Sequence, residues 1–174
     1  MSDGTLGEAA LDYAGRGWPI FPCHPRTARP ATPGGAGDAS ADVRRVGRYW
    51  VRVPDANVAL ATGRPSGVAA LVVDGAGGWR ALAALEQAHG RLPDPLLACI
   101  GERAVLLYRI GEPRRGGALA EGVMLCADGG YVLLPPSRLG DEAGVWVDDW
   151  REKALSAYPS WPEAAPVGQL SLGG

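Results

Sequence analysis

The sequence predicts an α+β fold in which a mixed β-sheet is flanked by helices. Hydrophobic residues make up 47% of the 174-residue chain and charged residues only 21%, so a buried core is expected and wholesale disorder is excluded. Segments with helical periodicity alternate irregularly with short apolar runs, which favours α+β over a parallel α/β sheet. The 26 Gly and 15 Pro residues predict many turns between short elements. We expect one domain over residues 1–162 and a flexible C-terminal tail over residues 163–174.

The N-terminal part is predicted to contain a capped helix, a strand and a long loop. Thr5 and Glu8 match the capping-box pattern, and the helix that they begin is expected to end near Gly15. The apolar run over residues 18–22 predicts a short strand that ends at a proline. Residues 22–40 are rich in Pro, Gly and Ala, and loops of this length are usually functional or mobile.

A second helix is predicted to begin at Ser40, as its cap, and to end near Val53. Its apolar positions are expected to face the core: Val43, Val46, Trp50 and Val53. Arginines recur at four-residue intervals along the same helix, with one more adjacent: Arg44, Arg48, Arg52 and Arg45. This basic stripe is either a solvated helix face or a surface that contacts nucleic-acid phosphates. Trp50 and Trp79 are candidates for base stacking, although packing is the commoner role of tryptophan.

The rest of the chain predicts short strands around a third helix. Strands are expected at residues 57–61, 69–74, 96–100, 105–110, 122–126 and 131–134. The third helix is expected to follow Gly77 and Gly78 and to end near His89. Asp74 is suited to cap the turn between strand and helix, because Asp favours turns. A last amphipathic helix over residues 148–158 is expected to pack against the body of the domain.

Four stretches carry a family resemblance by their content and their order. They are LDYAGRGWPIFP at residues 11–22, WVRVPDANVALATGRPSG at residues 50–67, LAALEQAHGRLP at residues 82–93 and DGGYVLLPPS at residues 128–137. In this order they resemble the N-terminal domain of bifunctional DNA primase/polymerases, part of the archaeo-eukaryotic primase superfamily. The resemblance covers about residues 9–146 and implies a primase/polymerase-like sheet with an RRM-like core. It also implies a nucleotide-binding fold related to DNA replication.

The positions that the resemblance matches to the family's catalytic residues are mostly apolar. The family's two acids stand at alternate positions of a strand, where they hold divalent metal ions together, but here the matching run is Val72-Val73-Asp74. Leu106 matches the family histidine, and Met124 matches the third family acid. The resemblance therefore implies no catalytic residues, no metal site and no cofactor, with Mg or Mn needed only if polymerase activity survives.

Three functions remain open at this point. The first is a catalytically inactive pseudo-enzyme that regulates or scaffolds by binding a protein partner or a small anionic ligand, with Asp74, Arg103 and Arg109 as candidate contacts. The second is a DNA- or RNA-binding accessory protein of replication or mobile elements, which would use the arginine stripe of the second helix. The third is an active DNA primase/polymerase. The net charge of −2 excludes only a globally basic nucleic-acid binder.

Cysteine usage and hydropathy indicate the expected compartment. Cys23, Cys99 and Cys126 are widely spaced and form no zinc-binding or disulfide pattern. The sequence contains neither a signal-peptide pattern nor an apolar run long enough to span a membrane. We expect a cytoplasmic protein with no membrane association, and the sequence leaves the oligomeric state open.

Overall fold

The computed structural model describes residues 4–164, which form three α-helices, one short 3-10 helix and ten strands. The helices are α1 (Leu6–Gly15), the 3-10 helix (Gly35–Asp38), α2 (Val43–Arg52) and α3 (Gly75–His89). The strands are β1 (Ile20–Cys23), β2 (Asn57–Ala61), β3 (Val68–Asp74), β4 (Leu96–Ile100), β5 (Arg103–Arg109), β6 (Gly117–Ala120), β7 (Val123–Cys126), β8 (Tyr131–Leu133), β9 (Arg138–Leu139) and β10 (Glu142–Trp146).

These strands form two sheets, and the predicted α+β class is confirmed. The small sheet has the order β1-β2-β8, and the large sheet has the order β6-β7-β3-β5-β4-β10-β9. Every pairing between these ten strands is antiparallel. The sequence had led us to expect a sheet that mixes parallel and antiparallel strands, and that detail is wrong. Only β4–β5, β6–β7 and β9–β10 are joined by short connections, which antiparallel neighbours allow because they need no long crossover.

The centre of the large sheet has the strand order of an RRM-like core. Four strands lie in the order β7-β3-β5-β4, with α3 connecting β3 to β4 and β5 inserted between those two strands. The connection from β5 to β7 contains β6 where an RRM has its second helix. The predicted RRM-like core is therefore present with one helix rather than two.

The two faces of the large sheet are covered by different elements. Leu71 and Val73 of β3 share a hydrophobic cluster with Leu82 of α3. Ala70 of β3 belongs instead to a second cluster, which includes Trp50 of α2 together with residues of α1 and the small sheet. Because successive side chains of a strand point to opposite faces, the residues of β3 at even positions point away from α3.

Buried polar side chains tie the small sheet to the segments around it. Asn57 is fully buried, and its Nδ2 donates to the carbonyl oxygens of Thr27 at 2.8 Å and Arg138 at 2.6 Å. Its Oδ1 accepts from the Arg138 backbone N–H at 2.9 Å. Ser137 Oγ accepts from the Val58 N–H at 2.8 Å and donates to the Val58 carbonyl oxygen. These bonds satisfy groups that would otherwise be buried without partners.

The prediction for α1 holds, whereas α3 begins at Gly75 and includes Gly77 and Gly78, which were expected to precede it, and α2 also needs correction. Ser40 is not the cap, because its backbone pairs with Ile20 in extended conformation. Asp42 caps α2, since its Oδ1 accepts from the backbone N–H groups of Arg44 and Arg45. Val46 and Trp50 are buried as predicted, but Val43 and Val53 are 47% and 36% exposed because they lie at the two ends of the helix.

The predicted helix at residues 148–158 is wrong. This segment is irregular, and its backbone follows the end of β5: Arg109 N–H donates to Ser156 O and Tyr158 N–H donates to Arg109 O, both at 2.8 Å. Its apolar side chains reach different places, since Leu155 packs on the α1–α2 cluster and Tyr158 on the α3 cluster. The apolar residues of this segment are therefore spaced as in a helix but pack into two separate clusters from an irregular backbone.

Three strands were not predicted, and the strand predicted over residues 18–22 is shifted to Ile20–Cys23. The additional strands are β6, β9 and β10, the last two joined at Gly140, which adopts a φ of +57°. Strand β1 continues through Pro22 to Cys23 because it lies at the edge of the small sheet, where a missing N–H is tolerated. None of the helices formed by residues 4–164 combines the length and the hydropathy needed to cross a membrane. Most of the expected tail, residues 165–174, lies outside the described residues, so the division at residue 162 stays a prediction.

The N-terminal turn of α3 gives a matched pair of substitutions that tests its packing. A Cβ added at Gly78 would lie 2.6 Å from the Gly122 carbonyl oxygen and 3.0 Å from Val73 Cγ1, whereas one at Gly77 would have its nearest neighbour, Arg80 Nη2, at 3.9 Å. We expect Gly78→Ala to lower the free energy of unfolding by about 1–3 kcal/mol through overpacking. Gly77→Ala should leave it unchanged or raise it by up to about 1 kcal/mol, because Ala is the better helix former. Urea denaturation of both variants checks this, and equal effects would contradict the close approach of α3 to β7.

Candidate functional site

A cleft with a volume of about 540 Å³ opens on the face of the large sheet opposite to α3. Its walls come from the large-sheet strands β3 to β7 and β9, from β8 of the small sheet, from the loops that precede β6 and β8, and from Ala28. Its apolar lining includes Val72, Ile100, Val105, Met124, Leu133 and Leu139. Its charged residues are Asp74, Arg103, Arg115 and Asp128. The cleft therefore combines an apolar interior with a small, balanced set of charges.

Strand register brings the central residues of the cleft together. Val72 of β3 lies opposite Val105 of β5 and opposite Met124 of β7. Asp74, two residues further along β3, lies opposite Arg103. Directly opposed residues of antiparallel strands share a face of the sheet. One face thus presents an acid and an arginine at the end of β3, next to three apolar side chains.

Asp74 and Arg103 form an ion pair at this end of the cleft. Arg103 Nε donates to Asp74 Oδ1 at 2.7 Å, and the two side chains are 43% and 52% exposed, respectively. The Asp74 backbone occupies the cap position of α3, but its carboxylate makes no capping hydrogen bond. The expectation that this carboxylate caps the turn is therefore wrong, because it is engaged across the strands instead.

The terminal nitrogens of Arg103 remain available for a ligand. Among the residues that the structure describes, Arg103 has one side-chain hydrogen bond, through Nε, and neither Nη atom has a protein partner. A guanidinium carries five N–H donors in a planar fork, so the bond to Asp74 leaves four of them. Asp74 consequently orients Arg103 without saturating it.

Asp128, the second acid of the cleft, is bound to the neighbouring loops. Its two carboxylate oxygens accept from the backbone N–H groups of Arg64 at 3.0 Å and Arg114 at 3.2 Å. Its own N–H donates to the Arg114 carbonyl oxygen at 3.0 Å. A Cβ at Gly63 would come within 2.6 Å of three Asp128 atoms, so the two loops are in close contact. Asp128 therefore holds loops together at the edge of the cleft.

The side chains of the cleft do not fit a pair of divalent metal ions. Such a pair needs carboxylates that bridge both ions, but the acids here lie apart and each is engaged by arginine or backbone donors. Within residues 4–164, no group of three or more His, Cys, Asp and Glu side chains is placed to hold a metal ion.

Leu106 does not line the cleft. It lies opposite Leu71, is only 3% exposed, and packs in the cluster that faces α3. Val105 occupies the cleft face in its place, because the two residues are adjacent on β5 and point to opposite sides. Of the three apolar positions that the sequence led us to expect side by side, Val72 and Met124 line the cleft, and the expectation for Leu106 is wrong.

Arg109 also lies outside the cleft. It is six residues from Arg103 on β5, a separation of roughly 20 Å along an extended strand. Its backbone pairs with Ser156 and Tyr158 of the C-terminal segment. The structure therefore brings together Asp74 and Arg103 but not Arg109.

Sequence reasoning missed three residues of the cleft. Arg115 reaches it through the loop before β6, a strand that the sequence did not predict. Cys126 also lines the cleft, and burial raises the pKa of its thiol to about 11, while the Arg103 charge acts in the opposite direction. Tyr131 donates its hydroxyl to the Ala28 carbonyl oxygen at 2.6 Å, and burial raises the pKa of its phenol. The alternation of Met124 and Cys126 along β7 was a signal for the second of these residues.

The arginine stripe is exposed on the outside of α2, away from the cleft. Arg45 is engaged, because its Nε donates to the Tyr49 hydroxyl at 2.9 Å and its Nη2 lies 4.0 Å from Asp38. The other three arginines form no ion pair within residues 4–164: Arg44, Arg48 and Arg52. Trp50 is buried, and its Nε1 donates to the Ala56 carbonyl oxygen, so it is not a stacking surface. Trp79 of α3 is 44% exposed and remains a candidate for stacking.

Comparison with known families gives one match over most of the chain. The family model described as bifunctional DNA primase/polymerase, N-terminal, matches residues 10–161. A search of curated proteins finds no match. The matched region includes both sheets, all three helices except the first turn of α1, and every residue of the cleft described above.

The exposure of the Asp74–Arg103 pair predicts a small contribution to stability. We expect Asp74→Asn and Arg103→Gln each to change the free energy of unfolding by less than about 1 kcal/mol, because exposed ion pairs are screened by solvent. Arg109→Gln, on the same strand outside the cleft, is the matched control. Urea denaturation of the two single variants and the double variant measures the coupling energy, expected at about 0.2–1 kcal/mol. A coupling energy above about 2 kcal/mol would assign the pair to the stabilisation of the fold.

Proposed function

The chain belongs to the family of bifunctional DNA primase/polymerase N-terminal domains, and from this premise we propose that it is a member that binds in its cleft without catalysing nucleotide transfer. In this proposal the protein is a regulatory or scaffolding pseudo-enzyme. Its ligand is a small anion held by Arg103, and binding of that anion, or of a protein partner, replaces polymerisation as its task.

The observation that carries the proposal is the ion pair of Asp74 with Arg103 at 2.7 Å. Nucleotidyl transfer by two metal ions requires shared carboxylates that hold the metals against the attacking and leaving oxygens. Here the residue two positions before Asp74 is Val72, and the side chain opposite Val72 on β7 is Met124. A guanidinium at hydrogen-bond distance also repels a divalent cation from the one remaining carboxylate.

The chemistry of the cleft supports binding of an anion in place of catalysis. Arg103 is oriented by Asp74 and keeps its terminal nitrogens free of protein partners within residues 4–164. Arginine binds carboxylates and phosphates through paired N–H donors, and it needs no metal ion to do so. The three cysteines are all free thiols, which fits a protein that works in the reducing cytoplasm.

A second candidate function, binding of DNA or RNA, is favoured by the exposed side of α2. Three of its arginines have no carboxylate partner within the described part of the chain, and they recur every four residues on one side of the helix. A row of arginines without carboxylate partners is suited to contact the phosphates of a nucleic acid. This function uses a different surface and is compatible with an inactive cleft.

A primer-synthesis assay tests for polymerase activity. With single-stranded DNA template, with or without primer, and with nucleotides and either Mg²⁺ or Mn²⁺, we expect no template-dependent synthesis above the level of the Asp74→Ala variant. The physical reason is that Val72 and Met124, which carry no carboxylate, line the cleft beside Asp74, so the metals lack the shared acids that they need. Primer extension gels measure the product, and electron paramagnetic resonance of free Mn²⁺ should give equal metal binding for both proteins.

Two controls make a negative result interpretable. Circular dichroism and urea denaturation should show that both proteins are folded, and an active polymerase in the same buffer should extend the same primer. Template-dependent synthesis that Asp74→Ala abolishes would overturn the proposal and establish an active primase/polymerase.

Salt-dependent binding of an oligonucleotide tests the arginine stripe of α2. If α2 binds nucleic acid, the affinity for a single-stranded oligonucleotide should fall with salt at a log–log slope of about −2, since three contacts release counterions at about 0.7 per contact. A variant with Arg44, Arg48 and Arg52 changed to Gln should lose most of the affinity and most of the slope. The matched control changes three exposed arginines elsewhere to Gln: Arg80, Arg91 and Arg109. Fluorescence anisotropy measures both, and equal losses in the two variants would indicate only a net-charge effect.

A further inference from the structure

Resting on the proposed function, we infer that the ligand of the cleft is a small organic molecule with one anionic group and a flat apolar body. The anionic group, a carboxylate, sulfonate or phosphate monoester, is bound by the terminal nitrogens of Arg103. The apolar body lies on the side chains of Val72, Val105 and Met124. A nucleoside triphosphate is excluded by the same features, because the cleft offers too little positive charge for it.

The charged end of this site is oriented in advance. Asp74 binds Nε of Arg103 at 2.7 Å, and the β3–β5 register sets the two residues directly opposite each other. An arginine whose Nε is bound to a carboxylate presents its two Nη groups as a pair in one plane. Such preorganisation lowers the entropy that is lost when a ligand binds, and paired N–H donors fit the two oxygens of a carboxylate or sulfonate.

The number of charges limits the ligand to a low negative charge. Arg103 and Arg115 contribute two positive charges to the cleft, and Asp74 and Asp128 contribute two negative ones. A triphosphate carries about four negative charges and is bound in proteins by several cations or by a metal ion. The balanced set in this cleft matches one anionic group, which Arg103 binds while Asp74 keeps its own bond.

The apolar part of the site is made by side chains that a ligand would cover. Val72, Val105 and Met124 are neighbours across three strands and all line the cleft, but Val105 is only 3% exposed, so Val72 and Met124 supply most of the surface that a ligand could contact. Met124 is 51% exposed although it is large and apolar. A methionine at a binding surface adapts its shape to different apolar groups. The cleft volume of about 540 Å³ is in the range that accommodates a two-ring organic molecule.

Isothermal titration calorimetry with 2-naphthoate as the probe tests this inference. We expect a dissociation constant below about 1 mM, a value that corresponds to modest but specific binding. Three comparison ligands separate the contributions: acetate has the charge without the body, 2-naphthalenemethanol has the body without the charge, and dATP with Mg²⁺ represents the triphosphate. Each of the three should bind at least ten-fold more weakly than 2-naphthoate.

Variants then assign the binding to the cleft. Arg103→Gln should weaken 2-naphthoate at least ten-fold, and Arg103→Lys should fall between it and wild type because it keeps the charge but loses the paired donors. Met124→Gln should weaken 2-naphthoate several-fold without changing the weak binding of acetate. Arg109→Gln, which makes the same charge change on the same strand outside the cleft, should bind like wild type. Thermal unfolding of every variant confirms that the comparisons use folded protein.

The outcomes distinguish this inference from the proposed function on which it rests. Absence of 2-naphthoate binding at 5 mM, binding that Arg103→Gln leaves unchanged, or tighter binding of dATP with Mg²⁺ would each overturn the inferred ligand class. These binding results carry no information about primer extension. Whether the protein is an inactive polymerase would therefore still be decided by the primer-extension assay. Primer extension that requires Asp74 would overturn the proposed function whatever 2-naphthoate does.

Discussion

The position of β3 between β5 and β7 determines what the rest of the molecule presents to a ligand. β3 pairs with β5 over seven residues and with β7 over four, so the register of all three strands is fixed together. A slip of one residue would exchange the two faces of the strand and bury Asp74 under α3. The hydrophobic cluster of Leu71, Val73 and Leu82 opposes such a slip, because it would lose its packing. Packing of the apolar face of β3 against α3 thus fixes the strand register, and the register in turn keeps Asp74 on the cleft face.

A second constraint holds the opposite wall of the cleft. Asn57 is fully buried and forms three hydrogen bonds, which connect the loop at Thr27 and the backbone at Arg138 to β2. Loss of one partner would leave a buried amide or carbonyl unsatisfied, at a cost of about 1–3 kcal/mol each. Asn57 lies in one of the stretches that resemble the primase/polymerase family, and its role is visible in these contacts. The family-like sequence at Asn57 therefore has a structural role, and the fold needs it whether or not the cleft catalyses a reaction.

Local signals predicted the elements that local interactions stabilise. The capping box of Thr5 and Glu8 forms as its pattern indicates, because both partners lie within one turn of α1. The helix prediction for residues 148–158 failed for the opposite reason, since the backbone there bonds to β5, nearly fifty residues earlier, and this pairing overrides the helical spacing of the side chains. The cleft was predictable only in part. Val72 and Asp74 follow from alternation along one strand, but the pairing of Asp74 with Arg103 depends on a register that no single strand encodes. Leu106 was misplaced by one residue, and one residue is enough to reverse the face.

The geometry of the ion pair allows Arg103 to bind an anion while it keeps its hydrogen bond to Asp74. If Asp74 bound both ends of the guanidinium, a ligand would have to break the pair and leave the carboxylate without its partner. The contact through Nε alone avoids this competition, because the end edge of the guanidinium, with one N–H from each Nη, stays open. A bound anion would be held by the cation that also holds Asp74, and the guanidinium would then stand between two negative groups. Removal of Asp74 would not free Arg103 for the ligand, since the bond through Nε is what fixes the direction of the remaining donors.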